Sequence, residues 1–580
     1  MIKRIQGTDG VRREVRLSSD PLVKGMAPLE VFMEMDFITE EFMELYTFCH
    51  VTDLIERREM KAGEEIVIGW DPRDTEGIFT ASAVSGIRKA GGKAVVMGIV
   101  PTPAVPIYML YRDAKCAFMI TASHNPKGQN GIKIFRSNGL KFFPEDDIRL
   151  AEKIYDTDYN TIRKLKAIGE FESAHDDGVR IFKAFLCDSR NSWIKKPGIF
   201  SEIILIIDPA NGSLSGIAAD ILNTLGFKKI IEVNNNLNGN VNLNCGVVNL
   251  EGISRIIPDM LERGARFENN QTINNIFEIG RKNGGKIKKR EVGVSGAVFD
   301  ADGDRFYRID YNPFDDTVIV LSGDETAFLQ GLYLMKTNPE KYKGSIYVNT
   351  IESDINAVVA AERLGYKTIV TGVGDKWILR EAERAAGRFA IGSEESGHNI
   401  TEGYLQTRDG RDISVFAGNG LKSAINTFAA SESILISHFE KEGISPLYFQ
   451  NLHHPFEPGF KKTFYIYKTD KSKLAKGAYL WKRVEAFIRS LILEYFGNSI
   501  EVFLKERDEE PDMLYMAIYD KGDLRGCIFV RNSGTEDKTG INVRGMMDDK
   551  EKLISIGERT MNYLISEIKK VSECQSVREL

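Results

Sequence analysis

The chain repeats one unit three times, and that repetition limits its fold more than any other feature. Residues 66–98 open with an apolar run, Ile66 to Trp70, that closes at Asp71. A helical stretch around Phe79, Ala83, Ile87 and Ala90 follows, then Gly91-Gly92 and a second apolar run, Ala94 to Met97. Residues 203–233 repeat the pattern with Ile203 to Ile207, Asp208, a helix from about Ser215 to Leu225, Gly226, and Lys229 to Val233. Residues 345–371 repeat it again with Ile346 to Asn349, a helix from about Ser353 to Leu364, Gly365, and Lys367 to Val370. Buried β-rich runs alternating with glycine-stopped helices predict right-handed βαβ units in mainly parallel sheets, an α/β fold class.

Each copy then adds a short apolar strand that runs into a polar loop. Cys116 to Ile120 leads into Thr-Ala-Ser-His-Asn-Pro (121–126), and Gly296 to Phe299 leads into Asp-Ala-Asp-Gly-Asp-Arg (300–305). Arg388 to Ile391 leads into Gly-Ser-Glu-Glu-Ser-Gly-His (392–398). Ligands of open α/β sheets collect beyond the carboxyl ends of the strands. Three equivalent units therefore each offer one loop to a common cleft. Two other regions fit the pattern less well. Residues 265–291, rich in Asn, Gly and Lys, read as a surface insertion, and about 425–458 reads as a linker into a final α+β domain. That domain has strands near Thr463–Tyr467 and Met513–Ile518 and helices near 474–496 and 549–569.

The loops carry distinct chemistries. Asp300, Asp302 and Asp304 alternate, so their side chains can converge on one hard cation; a solvated acidic turn is the alternative. An EF-hand does not fit, because Arg305 and Tyr311 stand where that loop needs Gly and Glu. Three carboxylates beside Arg305 suit Mg²⁺ with positions open for a phosphate oxygen. Ser123 is a nucleophile or a turn former, with His124 a base or an orienting group and Lys133 one loop away. No GxSxG surrounds Ser123, so a hydrolase elbow is not supported. Glu394, Ser396 and His398 combine acceptor, hydroxyl and imidazole, which suits vicinal sugar hydroxyls, with His398 the candidate general acid/base. Near the C-terminus, Arg531-Asn532-Ser533-Gly534-Thr535 joins an Arg fork, hydroxyls and a Gly turn into a dianion cradle. Gly418 to Ser423 has the wrong glycine spacing for a Walker A loop, which counts against nucleotide hydrolysis.

Composition narrows the partners. At 580 residues the chain has room for about three to five domains of ~150 residues. The 77 basic and 83 acidic residues leave a net charge of −6, too little positive charge to bind nucleic acid by counterion release. The six cysteines are scattered without a CxxC pair, a usage that suits a reducing cytosol. The N-terminus turns polar after five residues, unlike a signal peptide, and no 18-residue apolar run is present to span a membrane.

Taken together, Gly7-Thr8-Asp9-Gly10-Val11-Arg12, the 121–126, 300–305 and 392–398 loops and the 531–536 loop resemble the α-D-phosphohexomutase superfamily, the phosphoglucomutase/phosphomannomutase group. The resemblance spans nearly the whole chain in the right order. It implies four domains around a central active-site cleft: 1–195 with the phosphoserine loop, 196–305 with the metal loop, 306–440 with the sugar loop, and a linker with an α+β domain, 441–580. It implies that phosphorylated Ser123 exchanges its phosphoryl group with a hexose 1- or 6-phosphate through a hexose 1,6-bisphosphate, which also serves as activator. Mg²⁺ would sit on Ser123, Asp300, Asp302 and Asp304. Arg12, His124, Lys133 and His398 would lie in the reacting zone. Arg305 would bind substrate in that same zone, Lys376 would lie in a loop that meets the substrate, Glu394 and Ser396 would grip sugar hydroxyls, and Arg531, Ser533, Gly534 and Thr535 would hold the distal phosphate.

Departures from the family pattern are Asp537 where Pro is usual and Arg13 where Gly is usual. Glu395 stands where phosphoglucosamine mutases commonly have Gln, which favours glucose or mannose phosphate over that rival. A phosphopentomutase fits less well, and a catalytically silent sugar-phosphate sensor is the reading from another class. Small-molecule sugar phosphates are the expected partners, with neither nucleic acid nor membrane, for a cytoplasmic monomer or small homo-oligomer.

Overall fold

The apolar run Cys116–Ile120 is buried at every position, as a strand covered on both faces must be. In the computed structural model it is β5 of a seven-stranded sheet. The structure describes residues 4–7, 9–385, 387–436, 439–440, 443–507, 509–532 and 538–568. The other strands of this sheet are β1 (Val11–Val15), β2 (Phe37–Ile38), β3 (Glu65–Trp70), β4 (Lys93–Ile99), β6 (Gln129–Arg136) and β7 (Phe171–Ser173). The order across it is β2-β1-β6-β5-β3-β4-β7. β3 is parallel to both β4 and β5, and β6 alone runs against its two neighbours.

The second copy forms β8 (Ile203–Asp208), β9 (Lys229–Glu232), β10 (Arg255–Ile256), β11 (Gly293–Phe299), β12 (Phe306–Asn312) and β13 (Thr317–Leu321). Their order is β10-β13-β12-β11-β8-β9, with β8 parallel to β9 and β11. Both sheets place their polar loops at the carboxyl ends of the central parallel strands, after β5 and after β11.

Two expectations need correction. The stretch 265–291 is not a surface insertion: Gln271–Lys288 is a helix that buries Ile273, Ile276, Phe277, Gly280 and Ile287. These positions repeat at helical spacing, and the helix supplies the crossover between β10 and β11. Its Asn and Lys residues occupy the outer face and mask that period. The stretch 425–458 is not a linker either. Gly420–Ile434 is a helix buried at nearly every position, and Pro446–His453 is a second helix. A helix enclosed on all sides loses the amphipathic signal by which sequence reading finds helices.

The chain divides into two compact units. One holds the residues up to Tyr342 together with Gly374–Pro455, and so contains both sheets above and the hairpin-like pair Phe389–Ser393 and Asn399–Ile400. The other holds Lys343–Val373 and the residues from Phe456 onward. In that second unit Ile346–Thr350 and Lys367–Thr371 pair in parallel around the helix Ile355–Leu364. Asp354 caps the helix start by accepting from the Asn356 N–H, and Gly365 ends it in a left-handed conformation, φ 102°. The rest of the unit is a five-stranded antiparallel sheet in the order Phe460–Tyr467, Lys538–Gly545, Asp523–Asn532, Leu514–Asp520, Glu501–Leu504. Helices Tyr479–Phe496 and Lys550–Ile568 cover it, close to the expected positions. Among the described residues no helix is long and apolar enough to cross a membrane.

Candidate active site

β5 ends at Ile120, and the chain turns at once. The Thr121 Oγ1 accepts the Ser123 N–H at 2.8 Å, and Ser123 takes a left-handed backbone, φ 52°. Such a conformation costs a non-glycine residue ~1–3 kcal/mol, so the surroundings must hold it. Its product is direction: the buried Ser123 hydroxyl donates to Asp300 Oδ2 at 2.6 Å, joining the loop after β5 to the loop after β11. Gly131 on β6 lets β1 come close, since a Cβ there would stand 1.9 Å from the Val11 carbonyl oxygen. β1 thereby brings Asp9 and Arg12 to the same place.

Asp300, Asp302 and Asp304 are all buried, and each turns one carboxylate oxygen to a point where the three lie within 4.8 Å of one another. The Lys133 Nζ donates to Asp302 Oδ2 and Asp304 Oδ2, both at 2.7 Å, and the Thr102 hydroxyl donates to Asp302 Oδ2 at 2.5 Å. Asp302 Oδ1 is left buried without a hydrogen-bond partner. Burial and the neighbouring charges of Asp302 and Asp304 push the Asp300 carboxyl well above the usual range. Three converging carboxylates, all-oxygen donors and the orphaned Asp302 Oδ1 fit a hard divalent cation such as Mg²⁺.

The third loop closes the arrangement. Burial alone would lower the His398 pKa, but Asp304 and Asp375 raise it to about 10. Its Nε2 lies 3.1 Å from Asp304 Oδ1, and its Nδ1 donates to Glu394 Oε2 at 2.7 Å. The other Glu394 oxygen accepts the Gly374 N–H at 2.9 Å. Ser396 lies half-buried in the same turn. Arg305 is nearly buried, with its backbone N–H on Asp300 Oδ1 at 3.2 Å. Next to Ser123, His124 is held well below its usual pKa by Arg305, by burial and by Arg12. The Arg12 guanidinium donates to Asp9 Oδ2 at 3.0 Å. Lys376 is buried over the Trp377 ring, and burial followed by the Arg4 charge lowers its pKa to about 8.

The first unit therefore brings together Ser123, His124, Lys133, Arg12, Asp300, Asp302, Asp304, Arg305, Glu394 and His398. In the second unit Arg531 lies 3.1 Å from Glu510 Oε1 and 3.5 Å from Glu352 Oε1. Ser533, Gly534 and Thr535, the remainder of the expected cradle, lie outside the described residues, as does Thr8.

Sequence reading missed several members of the site. Lys141 Nζ stands 3.0 Å from Asp9 Oδ1 and 2.8 Å from Asp375 Oδ2. Arg73 forms a buried ion pair with Asp71, its single Nε–H shared between the two carboxylate oxygens at 2.9 and 2.8 Å. Asn242 donates to the Ser123 carbonyl at 3.0 Å. One signal was available: an aspartate closes the first strand of both the first and second copies, Asp71 and Asp208, where an apolar run has no packing reason to end on a charge.

Residues 3–161 match the phosphoglucomutase/phosphomannomutase alpha/beta/alpha domain I, and residues 322–417 match domain III of the same family. The phosphoglucosamine mutase of Clostridioides difficile is 28% identical over 364 residues, 61% of this chain and 69% of that protein. That of Acetivibrio thermocellus is 28% identical over 412 residues, 70% of this chain and 76% of that protein. Among solved structures, a phosphoglucomutase/phosphomannomutase family protein from Burkholderia thailandensis superposes with a TM-score of 0.60 at 14% identity, covering 98% of this chain and 99% of that one. The phosphoglucomutase pp63/parafusin from Paramecium gives a TM-score of 0.59 at 14% identity, covering 97% and 96%.

Proposed function

Since the chain is a member of the α-D-phosphohexomutase superfamily, carrying domains I and III of the phosphoglucomutase/phosphomannomutase family, we propose that it interconverts hexose 1-phosphate and hexose 6-phosphate through a phosphorylated Ser123. Members of this family are isomerase-class phosphotransferases. The observation that carries the proposal is the hydrogen bond from the Ser123 hydroxyl to Asp300, inside a buried three-aspartate cluster.

In this reading a hydroxyl of the bound sugar phosphate attacks the phosphorus of phospho-Ser123. The Ser123 Oγ–P bond breaks as the new ester bond forms, and the hydroxyl proton leaves to a base. The hexose 1,6-bisphosphate turns over, Ser123 Oγ attacks the other phosphoryl group as that group's ester bond to the sugar breaks, and the released sugar oxygen takes back a proton while the phosphoserine is restored. A Mg²⁺ held by Asp300, Asp302 and Asp304 would supply charge neutralisation for the phosphoryl group in transfer. Lys133 and His398 are the N–H groups nearest those aspartates and are the candidates to move protons. Arg12 and Arg305 face the phosphoryl charge, and Glu394 with Ser396 accepts and orients sugar hydroxyls. In the second unit Arg531, with Ser533, Gly534 and Thr535, would grip the phosphate that does not react. The four-domain division at 195, 305 and 440 belongs to the same proposal.

The choice of sugar rests on two opposed features. Glu395, where phosphoglucosamine mutases commonly carry Gln, favours glucose or mannose phosphate. The similar curated proteins, at 28% identity, are phosphoglucosamine mutases, which favours the amino sugar. ³¹P NMR of the protein with Mg²⁺ and a trace of glucose 1,6-bisphosphate tests both. Glucose, mannose, glucosamine and N-acetylglucosamine 1-phosphates are supplied in turn, and signal moving from the anomeric to the 6-phosphate ester identifies the substrate. No movement with any sugar, together with an unphosphorylated Ser123, overturns the mutase reading in favour of a sensor.

A further inference from the structure

We propose that Arg73, Asp71, Thr121 and Asn242 form a positioning clamp that keeps Ser123 in its left-handed backbone and so aims its hydroxyl at the aspartate cluster. The inference rests on the phosphoserine reading for its effect on activity, but its geometric content stands apart from it.

Every polar backbone group of Ser123 is engaged by this set. Its N–H goes to Thr121 Oγ1 at 2.8 Å. Its carbonyl accepts from Arg73 Nη2 at 2.6 Å and from Asn242 Nδ2 at 3.0 Å. The Thr121 hydroxyl, having accepted that N–H, donates its own proton to Asp71 Oδ2 at 2.6 Å. Asp71 in turn takes the Arg73 Nε on both oxygens, and the Arg73 Nη1 reaches on to the Gln129 carbonyl at 2.9 Å, at the far end of the loop. The result is a closed circuit: carboxylate to guanidinium, guanidinium to the Ser123 carbonyl, Ser123 N–H to the Thr121 hydroxyl, and that hydroxyl back to the carboxylate. Arg73 and Asp71 have almost no exposed side-chain surface. Buried hydrogen bonds that close on themselves resist rearrangement, because opening any one strands a buried polar atom.

The circuit matters because a φ of 52° is not a serine's own preference. In the ordinary extended or right-handed regions the Cα–Cβ bond of Ser123 would point elsewhere, and the 2.6 Å contact to Asp300 would be lost. A displacement of ~1 Å in a reacting group can cost ~10²-fold in rate. None of the four residues touches the Ser123 Oγ, so their part is to position it. Arg73 fits that role better than a lysine would, since only a planar fork can hold the Asp71 carboxylate and two carbonyls at once.

The test compares Thr121→Val, which removes one hydroxyl at nearly constant volume, with Thr121→Ser, which keeps it, and adds Arg73→Lys. The expected result with the preferred sugar phosphate is a kcat loss of ~10- to 100-fold for Thr121→Val and Arg73→Lys with KM changed less than ~2-fold, and recovery to within ~3-fold of wild type in Thr121→Ser. Hydrogen exchange at the Ser123 amide provides a readout that needs no catalysis. It should quicken at least ~10-fold in Thr121→Val and stay near the wild-type rate in Thr121→Ser. If Arg73→Lys does not fold, the threonine pair decides alone. Unchanged exchange at Ser123 in Thr121→Val overturns the clamp, as does a kcat within twofold of wild type. Should the wild-type protein be inactive on all sugar phosphates, the mutase reading falls, and the exchange rates still decide for or against the clamp.

Discussion

Lys141 Nζ lies 2.8 Å from Asp375 Oδ2, a buried ion pair between the segment that follows β6 and the first turn of the helix Asp375–Arg384. The same ammonium stands 3.0 Å from Asp9. Burial works against the Lys141 charge, but Asp375 and Asp9 more than offset it and raise its pKa. The pair ties the third loop's surroundings to the first sheet.

Replacing Lys141 by Met leaves Asp375 buried without its cation. Breaking a buried pair from one side typically costs ~3–5 kcal/mol, and removing both partners costs less. We expect Lys141→Met to lower the urea midpoint of the first unit, read by the fluorescence of Trp377 beside Asp375. Lys141→Met combined with Asp375→Leu should recover part of the loss; a double variant no more stable than the single one would count against the pair.

Asp302→Asn removes a carboxylate charge that the other two aspartates do not replace. Titration calorimetry with Mg²⁺ alone should show affinity falling at least ~10-fold relative to wild type. Equal affinity in the two proteins would show that the cluster does not hold the ion.

His50 is buried against Phe118 and Phe142, and neither ring nitrogen has a hydrogen-bond partner. Burial, then the Arg149 and Arg57 charges, lowers its pKa to about 3 from 6.5. The unfolded chain therefore binds the proton that the folded chain refuses. The neutral ring's contribution to stability is whole above pH 6.5 and drains away as pH falls toward 3, with a slope approaching ~1.4 kcal/mol per pH unit. His50→Leu should flatten the stability profile between pH 6 and 4 relative to wild type, measured as the difference in melting temperature at each pH. Parallel profiles would refute it.

Arg531 is held between Glu510 and Glu352 rather than free. If it holds the distal phosphate in the way proposed, Arg531→Ala should raise KM for the sugar phosphate ~10-fold or more and increase the fraction of phosphoryl groups lost to water. Release of inorganic phosphate per turnover measures that partition, and an unchanged ratio would separate Arg531 from the exclusion of water.

Local chemistry was legible in the amino-acid order by itself. Cys116–Ile120 and Gly296–Phe299 are continuous apolar runs and Phe389–Ile391 is a shorter one, and the loops that follow them drew the sequence reading to Ser123, to the three aspartates, and to Glu394 with His398. The hydrophobic effect acts on each run independently of its partners, so strand and loop could be read without knowing the fold. The helix Gln271–Lys288 was hidden by its polar outer face, and Gly420–Ile434 by burial on every side.

Tertiary structure alone decided which charges meet. Lys141 and Asp375 are 234 residues apart, Thr102 and Asp302 are 200 apart, and Asn242 is 119 from Ser123. No periodicity relates such positions, because a hydrogen bond depends on angstroms in space and not on spacing along the chain. Even the left-handed turn at Ser123 belongs to this second class. Its own residue type disfavours that backbone, and the conformation persists because Thr121, Arg73 and Asn242 converge on its amide and carbonyl.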